Sequence, residues 1–333
     1  MAREPHPFAR FIHILGRGKT KTRSLTIEES EEAMRMLLSG EVLPEQLGAF
    51  LMLLRVKEES PEEIAGFVRA VRASMKVAPV FVDLDWPTYA GKRRQLPWFL
   101  LAALVLARSG RRVFMHGVEG HTEGRVYTRD ALVHLGVPVA QDQNEAARQI
   151  ERTGFAYLPL ERMSPKLAEL FELKSILGLR SAVHTLARLL NPFNAPCSVQ
   201  GVFHPGYLAI HRGAALLLGQ QRMVVFRGEG GEVERRPNKP CELITLQEGV
   251  VGEEVWPPSL ADPRLSPDED MDLDRLGALW RGEISDAYAE AAVTGTLAIV
   301  LRALGEASDP GDAQARAENM WNARDRGRLM AAA

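Results

Sequence analysis

From Pro79 onward, short runs rich in β-branched and aromatic residues alternate with longer helical runs. The β-rich runs are PVFVDL, RRVFMH, FAYLPL, CSVQGVF, RMVVFRG and CELITL. The helical runs between them cover residues 98–109, 128–135, 143–152 and 205–218. Such alternation is typical of a parallel sheet wrapped by helices, and ligands bind such sheets at the carboxyl ends of the strands. The loops placed to hold a ligand are those at 86–97, 116–128, 204–206 and 227–240.

The first 76 residues show helical patterns only. Thr26 and Glu29 form one capping box and Ser60 and Glu63 form another. In each box a hydroxyl and a glutamate satisfy N–H groups of the first helical turn that have no partner within the helix. The segment 44–56 is apolar on nearly every side, which predicts a buried central helix in a small bundle.

These two patterns predict an α/β protein of two domains, which suits a chain of 333 residues because single domains usually have about 100–200. We expect a small N-terminal helical domain over residues 1–78. The larger α/β domain, with a mostly parallel sheet wrapped by helices, is expected over residues 79–333. A helical stretch at 164–190 interrupts the alternation, and we expect it to pack back onto the bundle and complete it.

The net charge is −2, so the chain as a whole lacks the electrostatic signature of a nucleic-acid binder. Its charges are nevertheless unevenly distributed, since basic residues gather at 1–25 and 89–112 and acidic residues at 262–274. This separation predicts a positive face opposed to a negative one, of which only the positive face would meet an anionic partner.

The compartment is indicated by the cysteines and by the lack of long apolar runs. Cys197 and Cys241 are too few for a disulfide framework or for a metal site of four thiolates. Residues 1–10 lack the apolar core of a signal peptide, and Arg108 interrupts the best candidate for a membrane span. We therefore expect a cytoplasmic protein without membrane contacts.

Three cationic segments are candidates for contact with an anion. They are LGRGKTKTRSL, the loop GKRR between a strand and a helix, and the helical region LKSILGLRSAVHTLARLL. Helix N-termini attract anions, arginine forks match phosphate oxygens, and lysine supplies a point charge. The residues predicted to bind phosphate are Arg17, Lys19, Lys21, Arg23, Lys92, Arg93, Arg94, Lys174 and Arg180. Solvated surface turns and a wet helix face are the alternative interpretation.

Two further loops follow β-rich runs. MHGVEGHTEGRVYT contains four residues of special interest, His116, Gly117, His121 and Arg125, and its glycines allow a ligand to approach the backbone closely. A histidine at the end of a strand is also a common structural hydrogen-bonding group, and the spacing of the two histidines does not match a zinc site. In VVFRGEGGEVERRP, the carboxylates of Glu229, Glu232 and Glu234 suit Mg²⁺ beside a pyrophosphate. Pairing with the arginines that follow is the interpretation we favour, so no metal ligand is assigned.

The order of these elements resembles the anthranilate phosphoribosyltransferase-like family, glycosyltransferase family 3, over almost the whole chain. The resemblance is carried by EVLPEQLGAFLMLLRVKEESPEEIAGFVRAVRASM, by HG after a strand, by LGLRSAVHTLARLLNPFN and by the GEGGE turn. It implies a nucleoside phosphorylase/phosphoribosyltransferase-like fold and a homodimer formed through the helical domain. Active members bind phosphoribosyl pyrophosphate (PRPP) and Mg²⁺ in the cleft between the two domains.

Several positions that match the family's active site carry other residues here. The Gly-Thr-Gly-Gly-Asp loop that holds pyrophosphate matches AGKRR at 90–94, and the arginine that recognises the aromatic acid matches Lys174. The family's Asn and Gly-Pro become His184, Ala187 and Arg188, and its Asp-Glu metal pair matches Glu232 and Val233. The positions that remain from the transferase site are Gly91, His116, Gly117, His184, Glu229 and Glu232.

The lost ligands and added cations make the chain resemble a subfamily of nucleic-acid-binding proteins that lacks the biosynthetic activity. The resemblance thus implies a homodimer that binds single- or double-stranded DNA or RNA, with little sequence preference and no cofactor. The nucleic-acid backbone would lie in a basic groove between the domains. The alternative is a phosphoribosyltransferase that uses PRPP and Mg²⁺ with an altered acceptor, in which the cationic loop holds the pyrophosphate.

Overall fold

The N-terminal part of the chain folds into four helices in a computed structural model. The structure describes residues 4–18, 20–118, 120, 122–264, 268 and 270–330. The four helices are α1 (Ala9–Gly16), α2 (Ile27–Ser39), α3 (Pro44–Lys57) and α4 (Pro61–Ser74). Both predicted capping boxes are present, at Thr26 with Glu29 and at Ser60 with Glu63. Local hydrogen bonding therefore fixes where α2 and α4 begin.

Helix α3 is buried along one face, so the expected burial of this helix in the bundle holds for Phe50, Leu51 and Leu54 and not for its whole circumference. Phe50 is fully buried, and its ring contacts the rings of Phe8 and Phe67. Val56, on the same helix, is 83% exposed. The chain start and α4 thus pack on the same side of α3, where Leu51 and Leu54 are buried together with Phe50.

Among the described residues, seven strands form one sheet in the order β3-β2-β1-β4-β5-β6-β7. They are β1 (Leu84–Thr88), β2 (Val113–Gly117), β3 (Phe155–Pro159), β4 (Cys197–Val202), β5 (Arg222–Arg227), β6 (Cys241–Gln247) and β7 (Val250–Trp256). The first five run parallel, and β6 and β7 are antiparallel. The predicted fold class, a helical bundle with a mostly parallel α/β domain, is confirmed.

The helices between the parallel strands lie within two residues of their predicted bounds. They are α5 (Phe99–Arg108), α6 (Thr128–His134), α7 (Gln143–Thr153) and α12 (Tyr207–Leu217). The edge strand β7 was not predicted because most of its side chains are exposed or only half-buried.

The stretch at 164–190 is broken into short helices. One short helix, α8 (Leu160–Met163), precedes this stretch. The helices within it are α9 (Pro165–Glu172), α10 (Lys174–Leu177) and α11 (Val183–Leu186), and a 3₁₀ turn follows α11. Gly178, with φ 71°, ends α10 in the left-handed region that favours glycine. Phe171 and Leu186 belong to the same hydrophobic cluster as Phe67 of α4. The division of the chain between residues 78 and 79 stays a prediction.

In the part of the chain that the structure describes, three C-terminal helices complete the fold. They are α13 (Asp274–Arg281), α14 (Ala287–Leu304) and α15 (Pro310–Asn322). In the described part of the chain, α14 alone has the length and apolar character to cross a membrane, and 72% of it is buried inside the protein. Its Val293, Leu297 and Val300 belong to the core that contains α5, so α14 packs as a core helix.

The close packing of α2 on α4 predicts opposite effects for two helical glycines. A Cβ at Gly66 would lie 2.3 Å from the Ile27 carbonyl oxygen, whereas a Cβ at Gly48 meets no described atom within 4 Å. We expect Gly66→Ala to lower the free energy of unfolding by about 1–3 kcal/mol through overpacking. Gly48→Ala should instead raise it by about 0.5–1 kcal/mol through helix propensity. Urea unfolding of both variants is the measurement, and equal effects would contradict the packing of α2 on α4.

Candidate anion-binding site

Two adjacent backbone amides converge on one carboxylate oxygen at the carboxyl end of β1. The N–H groups of Ala90 and Gly91 both donate to Glu232 Oε1, at 2.7 and 2.6 Å. Gly91 has φ 68°, and a Cβ there would lie 2.8 Å from the Tyr127 ring. The loop therefore needs glycine at this position to aim both amides the same way. The carboxylate shows that these amides bind an anionic oxygen.

A second loop, after β5, brings Glu232 to these amides. Gly228 has no room for a side chain, because a Cβ there would lie 1.6 Å from the Glu232 carbonyl oxygen. The Glu229 N–H donates to the Glu234 carbonyl oxygen at 2.8 Å, which closes the turn. The Glu229 carboxylate pairs with Arg236 at 2.8 Å. The turn thus directs two buried carboxylates, those of Glu232 and Glu234, toward the loop after β1.

Lys92 lies inside the protein, contrary to the expectation that it contacts phosphate. Its side chain is 1% exposed, and its ammonium contacts the Glu234 carboxylate. The other oxygen of Glu234 accepts from the Phe99 N–H at the start of α5, at 2.9 Å. A partner in the core binds this cation, so it is not available to an external anion. Burial raises the pKa of Glu234 to about 7, although the Lys92 charge opposes this shift.

The rest of the cationic row faces outward but lies next to an acidic residue. Arg93 and Arg94 are exposed. Asp268, from the predicted acidic segment, donates its N–H to the Arg94 carbonyl oxygen and accepts from the Leu96 N–H, both at 2.7 Å. Its carboxylate also pairs with Arg275. The acidic segment therefore reaches the basic loop, and the predicted separation into a positive and a negative face is wrong here.

The N-terminal cationic segment is tied to the helical bundle. The Arg23 guanidinium binds both oxygens of Glu29, at 2.6 and 2.7 Å. Arg17 and Lys21 are exposed. Lys19 lies outside the described residues, as does His121. Arg23 therefore has a carboxylate partner within the bundle.

Cations of the cleft gather around the amide pair instead. Arg125 donates to the carbonyl oxygens of Ala90 and Gly91, at 2.9 and 3.0 Å. Lys174 donates to Thr122 Oγ1 at 2.8 Å. Burial lowers the pKa of Arg180, and the nearby charge of Arg125 lowers it further. The pKa of Lys174 is lowered in the same way, first by burial and then by the charges of Arg180 and Arg125. Such mutual repulsion indicates a site suited to an anion.

A cavity beside the amides continues this positive region. Its lining includes two residues of the predicted site, Arg180 and His184, and two at the positions that differ from the family, Ala90 and Arg188. His184 is buried, and its ring lies 4.1 Å from that of Phe171. Burial lowers the pKa of Arg188 to about 10, so this guanidinium stays charged at neutral pH.

The histidine-glycine pair after β2 has a structural position. His116 is fully buried, with Nδ1 2.6 Å from the Tyr89 hydroxyl and Nε2 3.2 Å from Asp85 Oδ1. A Cβ at Gly117 would lie 2.0 Å from the Thr88 carbonyl oxygen on the neighbouring strand. These contacts fit the alternative interpretation of His116 as a structural hydrogen-bonding group that supports the loop after β1.

The site also contains residues outside the set that was predicted to bind phosphate. Arg55, at the end of α3, lines the cavity and donates to the Tyr207 hydroxyl at 2.8 Å. Arg125 and Arg188 had a detectable signal, since one lies in a glycine loop after a strand and the other continues the cation spacing of Arg180 and His184. Arg55 and Tyr207 had none, because folding alone brings residues 152 positions apart together.

The buried ion pair gives a pH-dependent stability prediction. Lys92→Met leaves Glu234 without its cation, which should lower the free energy of unfolding by about 3–5 kcal/mol at pH 8. The raised pKa of Glu234 means that folding favours its protonated form, so the destabilisation should be smaller at pH 5.5, where the carboxyl holds its proton. Urea unfolding at both pH values measures this difference. The double variant Lys92→Met/Glu234→Gln should recover stability at pH 8, and a loss independent of pH would contradict the pairing.

Several curated relatives match most of this chain. An anthranilate phosphoribosyltransferase from Moorella thermoacetica is 31% identical over 282 residues, which cover 82% of this chain and 79% of the relative. The enzyme of that name from Thermus thermophilus is 32% identical, over 80% of this chain and 84% of its own length.

Solved structures share the fold. The crystal structure of anthranilate phosphoribosyltransferase from Thermus thermophilus aligns with a TM-score of 0.80 and 26% identity, over 95% of this chain and 94% of that one. The enzyme from Saccharomyces cerevisiae in complex with PRPP and Mg aligns with a TM-score of 0.76 and 15% identity, over 95% and 93%. The second likeness shows the fold alone.

These comparisons overturn the main functional prediction. The relatives and structures named above are anthranilate phosphoribosyltransferases, so the prediction of a DNA- or RNA-binding protein is wrong. The expectation of no cofactor is corrected as well, because one structure of this fold contains PRPP and Mg. The buried Lys92 and the acidic residue on the basic loop are the physical reasons why the predicted nucleic-acid groove does not form. None of these comparisons supports the expected homodimer.

Family models match both parts of the chain. The helical bundle domain of the glycosyl transferase family matches residues 10–75, and the a/b domain of the glycosyl transferase family matches residues 99–259. Together with relatives above 30% identity over four fifths of the sequence, these matches show that the chain belongs to the anthranilate phosphoribosyltransferase-like glycosyltransferase family 3.

Proposed function

We propose that this protein is a phosphoribosyltransferase that uses PRPP and Mg²⁺ and transfers the phosphoribosyl group to an altered acceptor. The observation that carries the proposal is the pair of amides at Ala90 and Gly91, which already binds a carboxylate oxygen at the carboxyl end of the sheet. Ligands of parallel α/β sheets bind at this edge.

The amide pair suits the pyrophosphate of PRPP. Backbone N–H groups in a glycine loop that precedes a helix are a common way of binding phosphate oxygens. Arg125 donates to the carbonyl of the Ala90–Gly91 peptide, which polarises the N–H group of the same peptide toward an anion. Lys174 and Arg180 add positive charge in a partly buried setting, where charge interactions are stronger than in water. These groups would stabilise the negative charge of a departing pyrophosphate.

The carboxylates near the amide pair supply part of the ligand set that Mg²⁺ needs. Among the described residues, no group of three or more His, Cys, Asp or Glu side chains is arranged to hold a metal ion. Mg²⁺ commonly takes one or two carboxylates together with substrate phosphates and water, however. Glu232 and Glu229 are the carboxylates that would hold it, and Val233 replaces the family's second ligand. When bound, Mg²⁺ neutralises charge on the pyrophosphate.

The residues on the acceptor side differ from those of the family, which supports an acceptor other than anthranilate. Lys174 replaces the arginine that recognises the aromatic acid, and His184 and Arg188 replace the family's asparagine and proline. A cytoplasmic location belongs to the same proposal, since Cys197 and Cys241 are free and buried and a biosynthetic enzyme works in that compartment.

Calorimetry with PRPP and Mg²⁺ tests the proposal directly. The wild-type chain should bind PRPP, and Gly91→Ala should weaken binding at least about tenfold, because a tenfold loss needs only about 1.4 kcal/mol. The matched control is Gly136→Ala, whose φ of 71° imposes similar strain but whose Cβ meets no described atom within 4 Å. No heat at millimolar PRPP would sink the proposal, and so would equal affinity in Gly91→Ala.

The Glu232 contact predicts a second, metal-dependent effect. A bound pyrophosphate has to displace the Glu232 carboxylate from the two amides, and a neutral amide is a weaker hydrogen-bond acceptor than a carboxylate. Glu232→Gln should therefore bind pyrophosphate about 3–10-fold more tightly without metal, while its gain in affinity on adding Mg²⁺ should shrink. Calorimetry with and without Mg²⁺ measures both changes. Glu151→Gln, at an exposed site on α7, is the control, and an unchanged metal-free affinity in Glu232→Gln would contradict the displacement.

A further inference from the structure

The cavity beside the amide pair is lined by more cations than a single carboxylate requires. Arg55, Arg180 and Arg188 all contribute to its wall, and its volume is about 120 Å³. One guanidinium fork pairs with one carboxylate through two parallel hydrogen bonds. The number of positive charges in this wall therefore indicates how much negative charge the acceptor carries.

Arg188 is the most deeply placed of these cations. It is 9% exposed, and its Nη1 donates to the His184 carbonyl oxygen. Its guanidinium lies 5.9 Å from the centre of the Tyr89 ring. A guanidinium has five N–H donors, and no described carboxylate lies within ion-pair distance of this one. A buried charge without a counter-charge is costly, so the remaining donors suit an anion in the cavity.

Arg180 is similarly placed. It makes neither a hydrogen bond nor an ion pair with any residue that the structure describes, although burial lowers its pKa. Two carboxylates near the cavity are each engaged through one oxygen, since Glu59 Oε1 accepts from the cavity residue Thr185 at 2.7 Å and Glu232 Oε1 accepts from the two loop amides. Glu232 acts on both Arg180 and Arg188 at a distance beyond an ion pair. The cavity wall is therefore left with positive charge that these carboxylates do not pair with directly.

The cavity also has an apolar side. Val202 and Phe203 line it, and Phe203 is 44% exposed. An apolar cavity of about 150 Å³ in another protein holds benzene, so a volume of this order accepts a body the size of one ring. The lining thus combines an apolar surface that can contact a ring with two guanidinium groups that can bind oxyanions. These are the groups of Arg180 and Arg188, which form no ion pair with a described residue.

We infer that the acceptor is a ring-sized molecule with a doubly charged oxyanionic part, either a phosphate or two carboxylates, which Arg188 and Arg180 bind together. This inference rests on the proposed function, because it names the substrate class of the same cleft. Arg188 stands where the family has proline, so it is the residue that sets the preference for a second negative charge over a single carboxylate.

The test is calorimetry of the full chain at pH 8 and constant low ionic strength, without PRPP. The probes are benzoate with one negative charge, isophthalate with two carboxylates, and phenyl phosphate. We expect at least one of the two dianions to bind tenfold or more tightly than benzoate. The two dianions distinguish a pair of carboxylates from a phosphate. Equal affinity for all three probes, or no binding of either dianion, overturns the inference.

Two variants assign the preference to Arg188. Arg188→Gln should lose the preference for the dianion, whereas benzoate affinity should change less than threefold. Arg188→Lys keeps the charge without the guanidinium fork and should retain part of the preference. It replaces Arg188→Gln in the test if circular dichroism shows that Arg188→Gln does not fold. Arg148→Gln, at an exposed site on α7, is the matched control. A preference that survives in the folded Arg188 variants overturns the inference.

The failures of the two proposals are distinguishable. If PRPP binds with Mg²⁺ and the three probes do not differ, the inference about the acceptor is wrong and the transferase stands. If the dianions bind through Arg188 and PRPP gives no heat, the transferase is wrong and so is the identification of the dianion as its acceptor.

Discussion

The buried contact between Lys92 and Glu234 joins the two loops from which the candidate site is built. These residues are 142 positions apart in the sequence, and both side chains are almost fully removed from solvent. Glu234 also accepts from the first N–H group of α5, so one carboxylate fixes the loop after β1, the start of the helix and the turn after β5. A buried pair of this kind loses much of its stabilisation to desolvation, but removing one partner leaves an unpaired charge in the core. The contact therefore fixes the position of the two loops relative to each other more than it adds net stability.

The position of Glu232 follows from this arrangement of the two loops. It lies two residues before Glu234 in the same turn, and it reaches the amides of Ala90 and Gly91. The site is thus self-occupied, because a carboxylate of the chain lies where an anionic ligand would bind. The cleft cations around it repel one another and lower one another's pKa values. A bound polyanion relieves this repulsion, which is the physical basis for assigning both substrates of the proposed transferase to this cleft.

The error in the functional prediction has a definite physical origin. In the sequence, GKRR is a row of three cations before a helix, and its partners are invisible. In the structure the row is divided, since Lys92 points into the core and Arg93 and Arg94 point outward. The acidic segment that was expected to lie apart supplies Asp268 to the backbone of the same loop. Charge counted along a sequence overestimates the charge that a surface displays, because pairing between distant segments cannot be counted.

The sequence by itself determined the local features of this protein. Both capping boxes, the parallel strand and helix alternation, and the family could be predicted, since each depends on residues close together in the chain or on motifs read directly. Tertiary structure alone decided which face of α3 is buried, where the stretch after Leu160 breaks into short helices, and which cations have partners. Arg188 is the clearest case, because its spacing from Arg180 was visible but its burial in a cavity without a carboxylate was not. The reason is that the energy of a charge depends on the distant groups that folding places around it, whereas helix caps and strand patterns depend on their immediate neighbours.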